Sequence, residues 1–282
     1  MAEIINGKLV SQIVRENIAE EVASFKKAHG KAPGLAVIVV GDDPASAVYV
    51  RNKHKACLDV GMISYQIEFD KETKEETLLE KIDELNLDPS VNGILVQLPL
   101  PAHISEEKVI NRISPSKDVD AFHPVNVGKI MIGNYDFLPC TPAGIIELLL
   151  HYNIEISGKS CAVIGRSNIV GKPMALLLTE KNGTVTLCHS RTKDLSSVTK
   201  AADIVVVAIG KPEFLTADMV RDGAVVIDVG INRLDNGKLV GDVKFDEVEK
   251  KASFITPVPG GVGPMTITML LKNTLTAAKK QR

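Results

Sequence analysis

The sequence has almost no excess of charge of either sign. Its 33 basic and 35 acidic side chains leave a net charge of -2. That gives no basic surface for nucleic acid and no strong field to steer anionic ligands, so any anion must be recognised locally. Cysteine is scarce as well: Cys57, Cys140, Cys161 and Cys188 form no CxxC pair, which fits free, buried thiols and a cytoplasmic location. The six histidines show no HExxH-type spacing, so no metal site is expected. No apolar run approaches the roughly 20 residues of a membrane span. The opening MAEIINGKLV carries acid early and lacks the apolar core of a signal peptide. There is no P-loop of the GKS type, no nucleophile elbow, no fixed-period repeat and no low-complexity segment.

What is present is alternation. At 282 residues the chain exceeds one typical core, and two domains are expected. Leu9, Ile13, Ile18, Val22 and Phe25 recur at helical spacing. Leu35–Val40, Ile63–Phe69 and Gly93–Leu98 read as strands, the first continuously apolar as in a buried parallel sheet. Between them, a helix starts at Asp43 and Pro44 as N-cap and N1 and runs to about Gly61. Thr73 and Glu76 form a candidate capping box ahead of Leu78, Leu79, Ile82 and Leu85. Residues 114–142 are rich in proline and glycine and read as a loop crossing between domains. A helix over about 141–152 follows, then strands near 160–165, 184–188, 203–209 and 224–229, a proline–glycine loop over 256–264 and a helix over about 265–280. The alternation predicts an α/β protein of two α/β domains with a cleft between them. Residues 1–120 form the first, 121–139 the crossover and 140–264 the second, with the helix at about 265–282 packing back on the first. Ligands in such sheets sit beyond the carboxyl ends of strands.

The second domain opens as a nucleotide-binding βαβ unit. Ser160–Ile164 runs into Gly165, a polar loop, Gly171, Lys172 and Pro173, and then Met174–Leu178. Gly165 allows a tight turn, Gly171 allows a phosphate to approach the backbone, and the helix N-terminus offers N–H groups to an anion. An NAD site usually places Asp or Glu after the second strand. Here that place holds His189, Ser190 and Arg191, with Arg166 just after the first glycine. Guanidinium groups bind phosphate in a charge-assisted fork, which favours NADP as the cofactor.

In the first domain Ser46, Tyr49 and Lys53 share one helix face at i, i+3 and i+7. A partly buried lysine near positive charge can serve as a neutral general base. Gln97 ends an apolar strand, where a buried amide needs a partner that a lysine supplies. Asp118 and Asp120 read either as ordinary loop carboxylates or as acceptors for the amino and ring N–H groups of a heterocycle.

Six motifs occur in order. They are Tyr49-Val-Arg-Asn-Lys53 with Ser46, Gly93-Ile-Leu-Val-Gln97-Leu-Pro-Leu-Pro101, and Pro115-Ser-Lys-Asp-Val-Asp120. Then come Pro139-Cys-Thr-Pro142, Gly165-Arg-Ser-Asn-Ile-Val-Gly171-Lys-Pro173, and Pro257-Val-Pro-Gly-Gly-Val-Gly-Pro-Met-Thr266. Together, over nearly the whole chain, they resemble the bifunctional methylenetetrahydrofolate dehydrogenase/methenyltetrahydrofolate cyclohydrolase family. The resemblance implies that Lys53 is the key catalytic residue, that Tyr49 stacks on or orients a folate substrate, and that Gln97 tunes Lys53. It implies that Asp120 holds the pterin ring, that Pro259, Gly260 and Gly261 border the folate pocket, and that Gly165, Arg166, Ser167, Ser190 and Ile231 line an NADP site shared with Arg191. It also implies a homodimer. One departure is Ala121, where the family commonly has glycine. Two other readings are a different two-domain NADP oxidoreductase, shikimate-dehydrogenase-like, and a catalytically silent NADP-binding regulator.

Overall fold

The computed structural model describes residues 1–42 and 44–281, and of residues 44–48 the backbone alone. The chain opens with β1 (Glu3–Ile4) and α1 (Gly7–His29), followed by β2 (Gly34–Val40), α2 (Pro44–Asp59), β3 (Ile63–Phe69), α3 (Glu75–Leu87) and β4 (Gly93–Val96). Three helices lead on: α4 (Glu106–Arg112), α5 (Pro124–Met131) and α6 (Cys140–His151). Next come β5 (Ser160–Ile164), α7 (Gly171–Glu180), β6 (Thr184–Cys188), α8 (Leu195–Ala201), β7 (Ile204–Val207) and β8 (Val225–Asp228). The short elements β9 (Asn232–Arg233), β10 (Leu239–Val240), α9 (Phe245–Val248) and β11 (Phe254–Ile255) precede α10 (Val262–Lys280).

The chain divides into two compact units. One holds residues 13–139 and 267–282 and is built on a three-stranded parallel sheet in the order β3-β2-β4. β2 is buried almost throughout, as the apolar run Leu35–Val40 requires of a central parallel strand. Leu78, Ile82 and Leu85 of α3 lie on one helix face and pack with Ala36, Ile38, Ile94 and Val96. The buried Lys117 amine donates to the carbonyls of Leu85 at 2.8 Å and Asp88 at 2.7 Å. It thereby satisfies the C-terminal carbonyls of α3 that have no partner within the helix. On α10, Asn273 donates to the carbonyls of Val119 and Leu138, both at 2.8 Å.

The other unit holds residues 1–12 and 140–266. Its six-stranded sheet runs β1-β11-β8-β7-β5-β6, all parallel. β5 and β7 are central and apolar, and their inward residues join Leu215, Val220, Val226 and Ile255 in one core. The order reverses at β5: β6 lies to one side, β7 and β8 to the other.

Three expectations from sequence are corrected. The Thr73–Glu76 capping box does not form. The Thr73 N–H closes a turn on the Asp70 carbonyl at 3.0 Å, and α3 begins at Glu75 with no side-chain cap at Lys74. The passage 114–142 is not all loop, because Pro124 sits at a first helical turn and His123 Nδ1 accepts from Val125 N–H at 3.1 Å, which starts α5. The strand at 93–98 ends at Val96, though Gln97 N–H still donates to the Ile38 carbonyl at 2.8 Å. Gly61 closes α2 at φ 79°, as a C′ glycine does. Asp43, read as the cap of α2, lies outside the described residues.

The closest approach in the six-stranded unit is at the start of α1. A Cβ on Gly7 would stand 1.7 Å from the Gly261 carbonyl oxygen. Gly158, in contrast, has φ 73° with open space around it. Gly7→Ala is therefore expected to lose roughly 3 kcal/mol or more of stability by displacing backbone, against about 1 kcal/mol for Gly158→Ala from its left-handed conformation alone. Urea melting of the two variants beside the wild type measures this, and equal midpoints for the two would refute the contact.

Candidate active site

α2 starts at Pro44 and carries Tyr49 and Lys53 one turn apart, so both side chains leave the same helix face. Lys53 is 8% exposed, and its Nζ donates to Gln97 Oε1 at 2.9 Å. Gln97 is the first residue past β4. Its Nε2 donates to the Leu98 carbonyl at 2.7 Å, which fixes the amide with its oxygen toward the lysine. The backbone bond to Ile38 holds the residue in register with the sheet. A neutral amide orients the amine without the strong stabilisation of an ammonium that a carboxylate would bring. Tyr49 is half-buried, and burial pushes its phenol above the usual range, so the hydroxyl keeps its proton at neutral pH. The Ser46 side chain is outside the described residues.

The two aspartates of the Lys117–Asp120 stretch have separate fates. Asp118 is 2% exposed. It accepts from the N–H groups of Phe122 at 3.3 Å and His123 at 2.8 Å, and from Asn126 Nδ2 at 2.8 Å. Burial pushes its carboxyl up, opposed by these donors. Asp118 therefore builds the turn, while Asp120 remains half-buried within it. Ala121 is fully buried with φ 59°. The chain thus keeps the left-handed turn that a glycine would adopt freely, at a cost of about 1–2 kcal/mol for an alanine.

In the six-stranded unit the loop after β5 is shaped by two glycines. Gly165 has φ 126°, and a Cβ on it would stand 2.2 Å from the Ala208 carbonyl oxygen. A Cβ on Gly171 would stand 2.1 Å from the Gly165 oxygen. Ser167 Oγ accepts from the N–H groups of Val170 at 3.1 Å and Gly171 at 3.3 Å, which orders the entry to α7. After β6, Thr192 Oγ1 accepts from His189 N–H at 2.8 Å and His189 Nδ1 from Arg191 N–H at 3.1 Å. This turn leaves Ser190 and Arg191 exposed. Ile164 and Cys188 pair across the strands, so the loops that carry the exposed Arg166 and Ser190 leave the sheet from neighbouring strand ends. The expectation that the start of α7 offers N–H groups to an anion is corrected: Gly171 N–H is taken by Ser167 Oγ, Lys172 N–H by the Ser167 carbonyl at 3.0 Å, and Pro173 has none. A glycine cradle and two exposed arginines, with no carboxylate paired to them among the described residues, fit a dinucleotide carrying an extra phosphate. Ile231, in the loop after β8, is 46% exposed. Its Cδ1 is 3.6 Å from where a Cβ would sit on Gly263, beyond the loop that holds Pro259, Gly260 and Gly261.

Sequence reading missed two buried carboxylates here. Asp228, the last residue of β8, accepts from Gly230 N–H at 3.0 Å and from Asp242 and Val243 N–H, both at 2.9 Å. Burial pushes its carboxyl up to about 7 against those donors. Asp242 accepts from Ile209 N–H at 2.7 Å, Gly210 N–H at 2.9 Å and Asn232 Nδ2 at 2.9 Å. The signal was available: a charged residue closing an apolar strand, the same pattern that singled out Gln97.

Two family models match the chain. The model described as tetrahydrofolate dehydrogenase/cyclohydrolase, catalytic domain, matches residues 5–120, and the NAD(P)-binding domain of the same family matches residues 139–282. The chain belongs to the tetrahydrofolate dehydrogenase/cyclohydrolase family. A member from Acetivibrio thermocellus, named bifunctional protein FolD, is 61% identical over 99% of this chain and 98% of its own length. The crystal structure of the bifunctional methylenetetrahydrofolate dehydrogenase/cyclohydrolase from Campylobacter jejuni matches with a TM-score of 0.97 at 50% identity, covering 100% of both chains. The family member from Trypanosoma brucei, complexed with NADP and an inhibitor, matches with a TM-score of 0.96 at 41% identity, over 99% of this chain and 98% of that one. Shikimate dehydrogenase from Aquifex aeolicus shares the fold alone, at 15% identity and a TM-score of 0.54 over 88% of this chain and 97% of that one. Of the residues singled out from sequence, Tyr49, Lys53, Gln97 and Asp120 fall in the three-stranded unit. Gly165, Arg166, Ser167, Ser190, Arg191, Ile231, Pro259, Gly260 and Gly261 fall in the six-stranded unit. Among the described residues, no helix is long and apolar enough to cross a membrane.

Proposed function

We propose that Lys53, Tyr49, Gln97 and Asp120 carry the folate chemistry of this chain and that the loops after β5, β6 and β8 hold its NADP. The chain is a bifunctional enzyme of folate interconversion. It oxidises 5,10-methylenetetrahydrofolate to 5,10-methenyltetrahydrofolate with NADP, then hydrolyses that product to 10-formyltetrahydrofolate. Lys53, Tyr49, Gln97 and Asp120 of the three-stranded unit carry the folate chemistry, joined by Pro259, Gly260 and Gly261 of the six-stranded unit, which also holds the NADP residues.

The observation that carries the residue assignment is the part-buried Lys53–Gln97 hydrogen bond at 2.9 Å. Hydrolysis needs a base to activate water, and no metal need supply it if an amine is held neutral and aimed. Gln97 aims the amine. The cationic methenyl ring beside it favours the neutral form through like-charge repulsion. Tyr49 offers a ring face to the pterin and a hydroxyl that stays protonated. Asp120 accepts from the amino and ring N–H groups of the heterocycle, on a turn built by Asp118. In the oxidation the folate's own nitrogen lone pairs stabilise the cation that forms, so the residues chiefly align the reactant. NADP, when bound, supplies the hydride acceptor. Gly165 and Gly171 admit its pyrophosphate to the loop before α7, which Ser167 orders, and Arg166, Ser190 and Arg191 hold its 2′-phosphate. Ile231 gives it an apolar contact, and Pro259, Gly260 and Gly261 are assigned to folate binding. Four free, buried cysteines and the family resemblance support a cytoplasmic homodimer.

Three outcomes are expected. Lys53→Met lowers cyclohydrolase turnover by about 100-fold or more while folate still binds, measured by decay of the methenyl absorbance and by fluorescence titration; hydrolysis at the wild-type rate would remove Lys53 from the mechanism. Arg166→Ala and Arg191→Ala each reduce the preference for NADP over NAD about tenfold or more, read from kcat/KM with both cofactors. Unchanged preference in both and in the double variant would overturn the phosphate site. Sedimentation equilibrium gives twice the 30.4 kDa chain mass, and a single-chain mass at micromolar concentration would refute the dimer.

A further inference from the structure

We infer that Asp242, held in place by Asp228, is the positioning residue for the loops that receive the nicotinamide half of the cofactor; this rests on the NADP reading above. The argument begins with strand order. The glycine cradle follows β5, and the arginine turn that takes the adenosine end follows β6. β7 and β8 lie on the opposite side of β5. A dinucleotide crossing the carboxyl edge at this reversal must lay its other half over the loops after β7 and β8.

Those two loops are tied together by one side chain. Asp242 is 0% exposed. Its Oδ2 accepts both Ile209 N–H and Gly210 N–H, which lie just past β7. Its Oδ1 accepts Asn232 Nδ2, next to Ile231 in the loop past β8. There is no slack in the joint: a Cβ on Gly230 would stand 2.2 Å from Asp242 Oδ1. Asp228 then fixes the backbone that carries this side chain. Its Oδ1 takes Asp242 N–H, its Oδ2 takes Val243 N–H, and a Cβ on Gly241 would stand 1.8 Å from that Oδ2.

The chemistry of the donors explains why the residue is an acid. All three groups that bond to the Asp242 carboxylate are N–H donors, and a carboxylate presents acceptors at both ends. An alanine there removes both acceptors at once. The 209–210 N–H groups then lose their partner and the two loops lose the side chain that joins them. Small displacement of a reacting ring is costly in rate, so releasing either loop falls on hydride transfer. It does not fall on the base for hydrolysis and the residues assigned beside it, Lys53, Tyr49 and Gln97, which lie in the three-stranded unit. Nor does it fall on the discrimination between NADP and NAD, which belongs to the turn after β6.

The test uses the full-length chain and its two assays. The wild type is first assayed with methylenetetrahydrofolate and NADP, and absence of oxidation there would overturn the NADP reading itself. Asp242→Ala is then expected to lower dehydrogenase kcat/KM about 30-fold with NADP and equally with NAD, while hydrolysis of the methenyl substrate stays within twofold of wild type. Asn232→Ala, which leaves both carboxylates and their backbone donors in place, is expected to lower the same parameter about fivefold. It decides alone if Asp242→Ala does not fold. Wild-type kcat/KM for oxidation in Asn232→Ala, a parallel loss of hydrolysis in either folded variant, or an altered NADP-to-NAD ratio would overturn the proposal.

Discussion

In a parallel sheet every strand ends at the same edge, and the segment that follows has to leave from there. The two larger sheets of this chain are built that way, and several of its chemical features are placed by it. Gln97 is the first residue out of β4 and still bonds to Ile38 of the neighbouring strand. Gly165, His189 and the Ile209–Gly210 pair leave β5, β6 and β7 in the same manner. Because Ile164 and Cys188 are paired, the loops that carry Arg166 and Ser190 leave the sheet side by side. Register does the positioning there, and side chains refine it.

Two kinds of acceptor do that refining. Gln97 is a half-buried neutral amide that accepts from Lys53. Asp118, Asp228 and Asp242 are buried acids, and the donors they meet are backbone N–H groups and asparagine amides.

Much of this was legible in the sequence, for reasons that can be given residue by residue. β2, β5 and β7 were readable because strands buried on both faces are apolar runs. The glycine cradle was readable because no other residue fits at Gly165 and Gly171. The Lys53–Gln97 pair was readable because an amide ending an apolar strand needs a partner. What escaped has equally physical causes. β1 and β11 are two residues long, too short for any period to show. α5 depends on a histidine cap and a proline in a stretch whose composition reads as loop. Thr73 sits in a tight turn with Asp70, a local competitor that pattern alone does not reveal. Asp118 and Asp120 could not be told apart without knowing which one the following backbone folds around.

The first strand carries a consequence for how the molecule is made. β1 pairs only with β11, so Ile4 waits for Ile255, and the N–H of Ile5 waits for the carbonyl of that same residue. The edge of the larger sheet therefore joins residues about 250 positions apart, and such a contact is the kind whose loop-closure entropy is met late and slowly in folding.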